Sequence, residues 1–244
     1  MPERIINQLI MVVEDMNNSQ NPDNIINPND MYQNKSNMLL SCGIELFQGT
    51  NYNSFITPAC NVELCRGSSL HRGYYHPSPI YDIIVGNAKR GKIVRSSCTA
   101  KDCSHRYTYT ADGKLQHVES FANGKTAYTE YLIYLADKRI GLTIDCYNYL
   151  SAISEERFEM GRLASFSLAN CIFDGHSYSC YNYHEEQYYY DDIGLFQCDF
   201  INFSTSSRYL INEQYSFERT NGYLSAYTNT TSHIRYAISK KRKA

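Results

Sequence analysis

The feature that most constrains this chain is a set of Asx-Gly dipeptides, Asp112-Gly113, Asn123-Gly124, Asp174-Gly175 and Asn221-Gly222, each lying between runs of β-forming residues. A two-residue type I′ turn needs positive φ at both central positions, which Asn, Asp and Gly adopt at least cost, so these pairs predict antiparallel hairpins. Alternation agrees: Tyr215, Phe217 and Arg219 fall on one face of a strand, and Ser216, Glu218 and Thr220 on the other. Residues 105–239 are therefore expected to form a mainly β, antiparallel meander of stacked hairpins, whether an open sheet, a sandwich or a partial barrel. The 23 Tyr and 10 Phe, with no Trp, suit this class, because these β-prone rings carry an apolar body and, in Tyr, a polar tip.

The rest of the chain reads differently. Ile5, Ile6, Leu9, Ile10 and Val13 recur at helical offsets, which predicts a short N-terminal helix. From Asn17 to Asn37, eight asparagines with Pro22 and Pro28 favour turns, so residues 1–37 are read as a helix followed by an Asn-rich arm. Residues 38–104 hold short β-like runs such as Ile80 to Val85 and Lys92 to Arg95, broken by Pro and Gly, and are expected to form an irregular β subdomain. Residues 240–244, Lys-Lys-Arg-Lys-Ala, are expected to be a solvated basic tail.

Removing the four cations of that tail from the net charge of −2 leaves a body near −6. No Lys or Arg lies between Leu163 and Ser207, where Asp174, Glu185, Glu186, Asp191, Asp192 and Asp199 are found. A field of this sign repels nucleic acid and attracts cationic partners, so direct nucleic-acid binding is not expected. Glu3, Arg4 and an apolar run of only Leu9 to Val13 do not make a secretory signal, and no segment has the apolar length of a membrane span. A cytoplasmic location without membrane association is the expectation. The nine cysteines are then read as reduced and mostly buried.

Two of those cysteine pairs, Cys60 with Cys65 and Cys98 with Cys103, have a spacing able to supply zinc, with His71 and His105 nearby in sequence. The competing reading is four buried thiols, and no metal or other cofactor is assigned. No catalytic residue is assigned either: the chain has no phosphate-binding glycine loop, no G-x-S-x-G elbow and no H-E-x-x-H. The doublets Glu185-Glu186 and Asp191-Asp192 do not form an acid and base pair, because neighbours on a strand point to opposite faces.

The hairpin half carries a loose repeat. Tyr107-Thr-Tyr109-Thr-Ala-Asp112-Gly113-Lys114-Leu115 is echoed at Tyr188 to Leu195 and at Tyr215 to Leu224, more loosely at Tyr134 to Leu142 and Phe158 to Leu163, with Gly113, Gly141, Gly161, Gly194 and Gly222 as anchors. The stretch Tyr107 to Leu115 resembles the tyrosine-aspartate repeat of bacterial Rhs-type polymorphic toxins, Tyr-x-Tyr-Asp-x-x-Gly-Arg-Leu, with Thr110 in place of its Asp and Lys114 in place of its Arg. This chain is too short to build the toxin-enclosing shell of that family. It is similar instead to the small immunity proteins encoded beside contact-dependent or Rhs toxins. That resemblance implies an antitoxin whose partner is a toxin domain with a basic surface, such as a nuclease.

The strongest candidate surface is the segment Tyr178 to Asp199. If His184 to Gln187 turns the chain, Tyr181 and Tyr183 form one aromatic row and Tyr188 and Tyr190 another, flanking an acidic tip of Glu185, Glu186, Asp191 and Asp192, with Tyr178 and Asp199 at its borders. Tyrosine buries large area at low rotamer cost and carboxylates steer a cationic partner, so these ten residues are the expected partner-binding set. A tyrosine-covered solvent face with ordinary acidic turns is the plain alternative. The alternative functions are a zinc-binding protein or enzyme centred on residues 60–105 and a carbohydrate-binding β module, since tyrosine-lined faces also stack on sugars.

Overall fold

The computed structural model describes residues 27–49, 61–68, 70, 78, 91–94, 103–221 and 223–243. Helix α1 (Pro28–Gly49) is followed by β1 (Asn61–Arg66), β2 (Lys92–Val94), β3 (His105–Tyr109), β4 (Leu115–Ala122), β5 (Lys125–Tyr134), β6 (Lys138–Asp145) and β7 (Leu150–Glu159). The remaining strands are β8 (Arg162–Phe173), β9 (Tyr178–Tyr190), β10 (Leu195–Ser204), β11 (Tyr209–Thr220), β12 (Tyr223–Asn229) and β13 (Ile234–Lys243). All thirteen join one antiparallel sheet in the order β13 back to β3 in sequence, then β1 and β2. Of the three closures compatible with the sequence, the chain adopts the open sheet.

The turns follow the local chemistry. Asn123 and Gly124 (φ 53° and 74°) make the two-residue β4–β5 turn, and Met160 and Gly161 (φ 48° and 76°) do the same between β7 and β8. Asp174 caps the β8–β9 turn, its Oδ1 accepting the N–H groups of His176 and Ser177, each at 2.8 Å. Gly141 departs from its expected place as a turn anchor and lies inside β6. A Cβ there would sit 2.4 Å from Ser154 Oγ and 2.6 Å from Glu130 Oε1, so the glycine makes room for a buried carboxylate on the neighbouring strand.

Residues 28–37, expected as part of a loop, form the first half of α1. The local signal was present: Asn27 Oδ1 accepts the Asn29 N–H at 3.0 Å, and Pro28 occupies the first helical position. Packing completes it, since Tyr32, Ser36, Leu40, Gly43 and Leu46 recur every three or four residues and are buried against the sheet. Residues 38–49 belong to the same helix, not to a β subdomain. At the other end, β13 continues through Lys243 with Arg242 opposite Leu224, so the basic residues expected as a solvated tail extend the edge strand. The N-terminal helix expected around Leu9 and the run Ile80 to Val85 lie outside the described residues.

The sheet has two unlike faces. On the helix side, α1 covers a core of Leu142, Leu150, Ile153, Ala169, Tyr183, Ile201 and Phe203. On the far side, Phe166, Leu168, Tyr188, Cys198, Phe200, Tyr215 and Phe217 are buried together, and toward β1 Cys65, Tyr107, Val118 and Leu132 form a further core. One ring per strand runs across β8 to β13 on this far side: Phe166, His184, Phe200, Tyr215, Tyr227 and Tyr236, with successive centroids 4.9–6.2 Å apart. Five of the Tyr and Phe rings thus serve one cross-strand packing row. Among the described residues, no helix is long and apolar enough to cross a membrane.

Candidate partner-binding face

Strand β9 decides the geometry of the expected binding segment. It runs unbroken for 13 residues from Tyr178 to Tyr190, so His184 to Gln187 make no turn and Glu185 and Glu186 lie within a central strand. The expected acidic tip does not exist, because flanking β8 and β10 pair with both carboxylate positions: Glu186 lies opposite Phe166 and Phe200, and Glu185 opposite Ser167 and Ile201. A ladder on both sides outweighs any local turn preference of charged residues.

The sheet then sorts the ten residues. Glu186 is wholly buried on the far side, where its carboxylate accepts from Ser78 Oγ (2.6 Å) and the Tyr188 hydroxyl, and its Oε1 lies 2.7 Å from His184 Nε2. Tyr188 is buried with it, and the Tyr190 hydroxyl donates to the Leu163 carbonyl at 3.0 Å. Tyr183 is buried on the helix side; its hydroxyl donates to Glu185 at 2.6 Å, and burial together with that carboxylate raises its pKa well above the usual value, so it remains a donor. The expected pairing of Tyr181 with Tyr183 is undone by a register shift in the β8–β9 ladder: Cys171 faces Cys180 and Asn170 faces Asn182, which leaves Tyr181 half exposed between them. Tyr178 packs on Phe173 (4.9 Å between centroids) and edge-on to Phe47 (6.2 Å).

The acidic field is also reduced by cations from elsewhere in the chain. Lys35 of α1 lies 2.9 Å from both oxygens of Glu185, and Arg219 lies 3.0 and 3.2 Å from those of Asp191. Asp191 also accepts the N–H groups of Ile193 and Gly194 at 2.9 Å, which closes the β9–β10 turn. Asp192 is exposed in that turn.

Asp199 has a different setting. It sits partly exposed on the helix side of β10 and accepts from the Tyr189 hydroxyl (2.9 Å), Gln197 Nε2 (3.1 Å) and Gln214 Nε2 (2.8 Å). Across the ladder, Ser165, Gln187, Asp199 and Gln214 stand opposite one another on four adjacent strands, all partly exposed. Tyr189 borders this row with its ring 6.4 Å from Phe196, which a bulge between Leu195 and Gln197 displaces outward; the two are 36% and 40% exposed. The result is a flat patch of hydroxyls and amides held around one carboxylate, with two aromatic rings at its margin.

No protein-family model matches the chain, and no curated protein matches it.

Sequence reasoning placed Asp199 in the set but missed Gln187, Tyr189, Gln197 and Gln214. The usable signal was the alternation Tyr183, Glu185, Gln187, Tyr189, which appears only when β9 is read straight through. Of the zinc candidates, Cys60 and Cys98, with His71, lie outside the described residues. Cys65 and Cys103 are buried, and the Cys65 thiol donates to the Ser68 carbonyl at 3.3 Å. Among the described residues, no three His, Cys, Asp or Glu side chains are grouped to hold a metal ion.

Proposed function

We propose that this protein is an immunity-type antitoxin that binds a cognate toxin domain through the helix-side patch centred on Asp199. The observation that carries the reading is the fan of Tyr189, Gln197 and Gln214 donors around Asp199, which fixes side chains on an open sheet face before any partner arrives. Preorganised groups lose little entropy on binding, and an exposed Tyr beside a satisfied carboxylate is the composition of an interface anchor. The sheet edges favour a face-on mode. β2 is three residues long and β13 ends in Lys240, Lys241, Arg242 and Lys243, both of which discourage addition of a partner's strand.

With Glu185 and Asp191 already paired, the partner is held by hydrogen bonds and aromatic contact more than by bulk charge, so salt weakens the complex only modestly. The test is a pull-down with the toxin domain encoded beside this gene. Capture that falls about tenfold or more when Tyr189→Ala and Asp199→Ala are combined supports the reading. No capture at low ionic strength, or capture untouched by that pair, overturns it.

A further inference from the structure

We propose that Cys171 and Cys180 form a cross-strand disulfide when the chain folds in the presence of a small-molecule disulfide such as oxidised glutathione. The two residues are direct partners in the β8–β9 ladder. Opposed residues in antiparallel strands hold their Cα atoms about 4.5–5.5 Å apart, inside the range of about 4.4–6.8 Å that a disulfide spans. Both side chains belong to the core beneath α1 and are 5% and 8% exposed. Cys42 of α1 shares that core but lies on the helix and not in the ladder, so the β8–β9 register pairs Cys171 with Cys180.

The chemistry balances as two thiol–disulfide exchanges. The thiolate of one cysteine attacks a sulfur of oxidised glutathione, forming a mixed disulfide and releasing one glutathione thiolate. The second cysteine thiolate then attacks the protein sulfur of that mixed disulfide and releases the other, and the two protons lost by the cysteines end on the two glutathiones. In the folded protein both thiols are held as donors, Cys171 to the Leu150 carbonyl (3.3 Å) and Cys180 to the Asn182 carbonyl (3.2 Å). Burial pushes their pKa values up to about 12 and about 11, so little thiolate exists once α1 has docked. Exchange therefore belongs to the folding chain, after the β8–β9 hairpin pairs and before α1 closes over it.

The experiment uses the full chain carrying Cys146→Ser, which removes the thiol that is exposed among the described residues. It is refolded from denaturant in a glutathione redox mixture, and cleavage before Asp174 then separates the two cysteines, which trypsin cannot do because no Lys or Arg lies between Leu163 and Ser207. The expected result is a loss of two hydrogens, a linked pair of peptides holding Cys171 and Cys180, and an unfolding midpoint above that of the reduced protein. Adding Cys180→Ser removes the mass change; should that variant fail to fold, the peptide map of the parent still decides. Refolded protein with a native circular dichroism spectrum and no loss of two hydrogens overturns the proposal, as does Cys171 linked to any other cysteine. Oxidation of the already folded protein is expected to be at least about tenfold slower, and equal rates overturn the order of events.

Discussion

Glu185 and Glu186 are adjacent in sequence and identical in chemistry, yet they occupy opposite environments. Glu185 faces the helix side, partly exposed, and pairs with Lys35; Glu186 faces the far side, fully buried, and is bound by Ser78, His184 and Tyr188. The pleat of β9 makes the difference, since one step along a strand reverses the side chain's direction. The two faces consequently do different work. The far face is packed and holds Glu186 in a hydrogen-bonded network, while the helix-side face leaves a polar patch around Asp199 partly exposed to solvent.

The largest effect should come from the buried side of that contrast. Glu186→Ala leaves Ser78, His184 and Tyr188 without their shared acceptor and is expected to destabilise the fold by about 3–5 kcal/mol in urea unfolding. A cost below about 1 kcal/mol would mean that the far face tolerates loss of its network.

Acid should act on the same face. Burial lowers His105 from 6.5 to about 4, so between those values the unfolded chain binds more protons than the folded one, and stability rises with pH across that window. Falling from pH 6.5 to 4 is expected to remove about 3 kcal/mol through this group. A His105→Gln variant should flatten that dependence, and an unchanged slope would show that other groups carry it.

Gly141→Ala comes next. Its Cβ would meet Ser154 Oγ and Glu130 Oε1 on the far side, so a loss of about 1–3 kcal/mol is expected from overpacking beside a buried carboxylate. The helix-side substitutions should be mildest. Glu185→Gln breaks an ion pair whose side chains are 23% and 37% exposed, and a change within about 1 kcal/mol is expected. Asp199→Ala should likewise spare stability while weakening capture of the partner, and a variant that loses both equally would make Asp199 a structural group only.

The meander was legible in the sequence because turns are local. Asn123-Gly124 announces its hairpin through backbone preference, Asp174-Gly175 through the Asp174 side-chain cap together with the positive φ of Gly175, and Tyr215 and Phe217 show the buried face by alternation. The start of α1 was half legible, in Asn27-Pro28, but the asparagine-rich composition around it pointed to a loop. The candidate site was legible only as a neighbourhood. Reading His184 to Gln187 as a turn grouped residues by proximity along the chain, when the strand groups them by parity.

By itself, then, the sequence determined that the chain is a tyrosine-rich antiparallel meander, because turn chemistry and side-chain period are properties of a few neighbouring residues. Only the tertiary structure decided which tyrosines and carboxylates are available. The segment from Leu163 to Ser207 is free of cations in sequence, yet Lys35 and Arg219 reach its Glu185 and Asp191 from distant elements. Burial and charge pairing depend on which strands and helices come together, and that information is not local to any stretch of the chain.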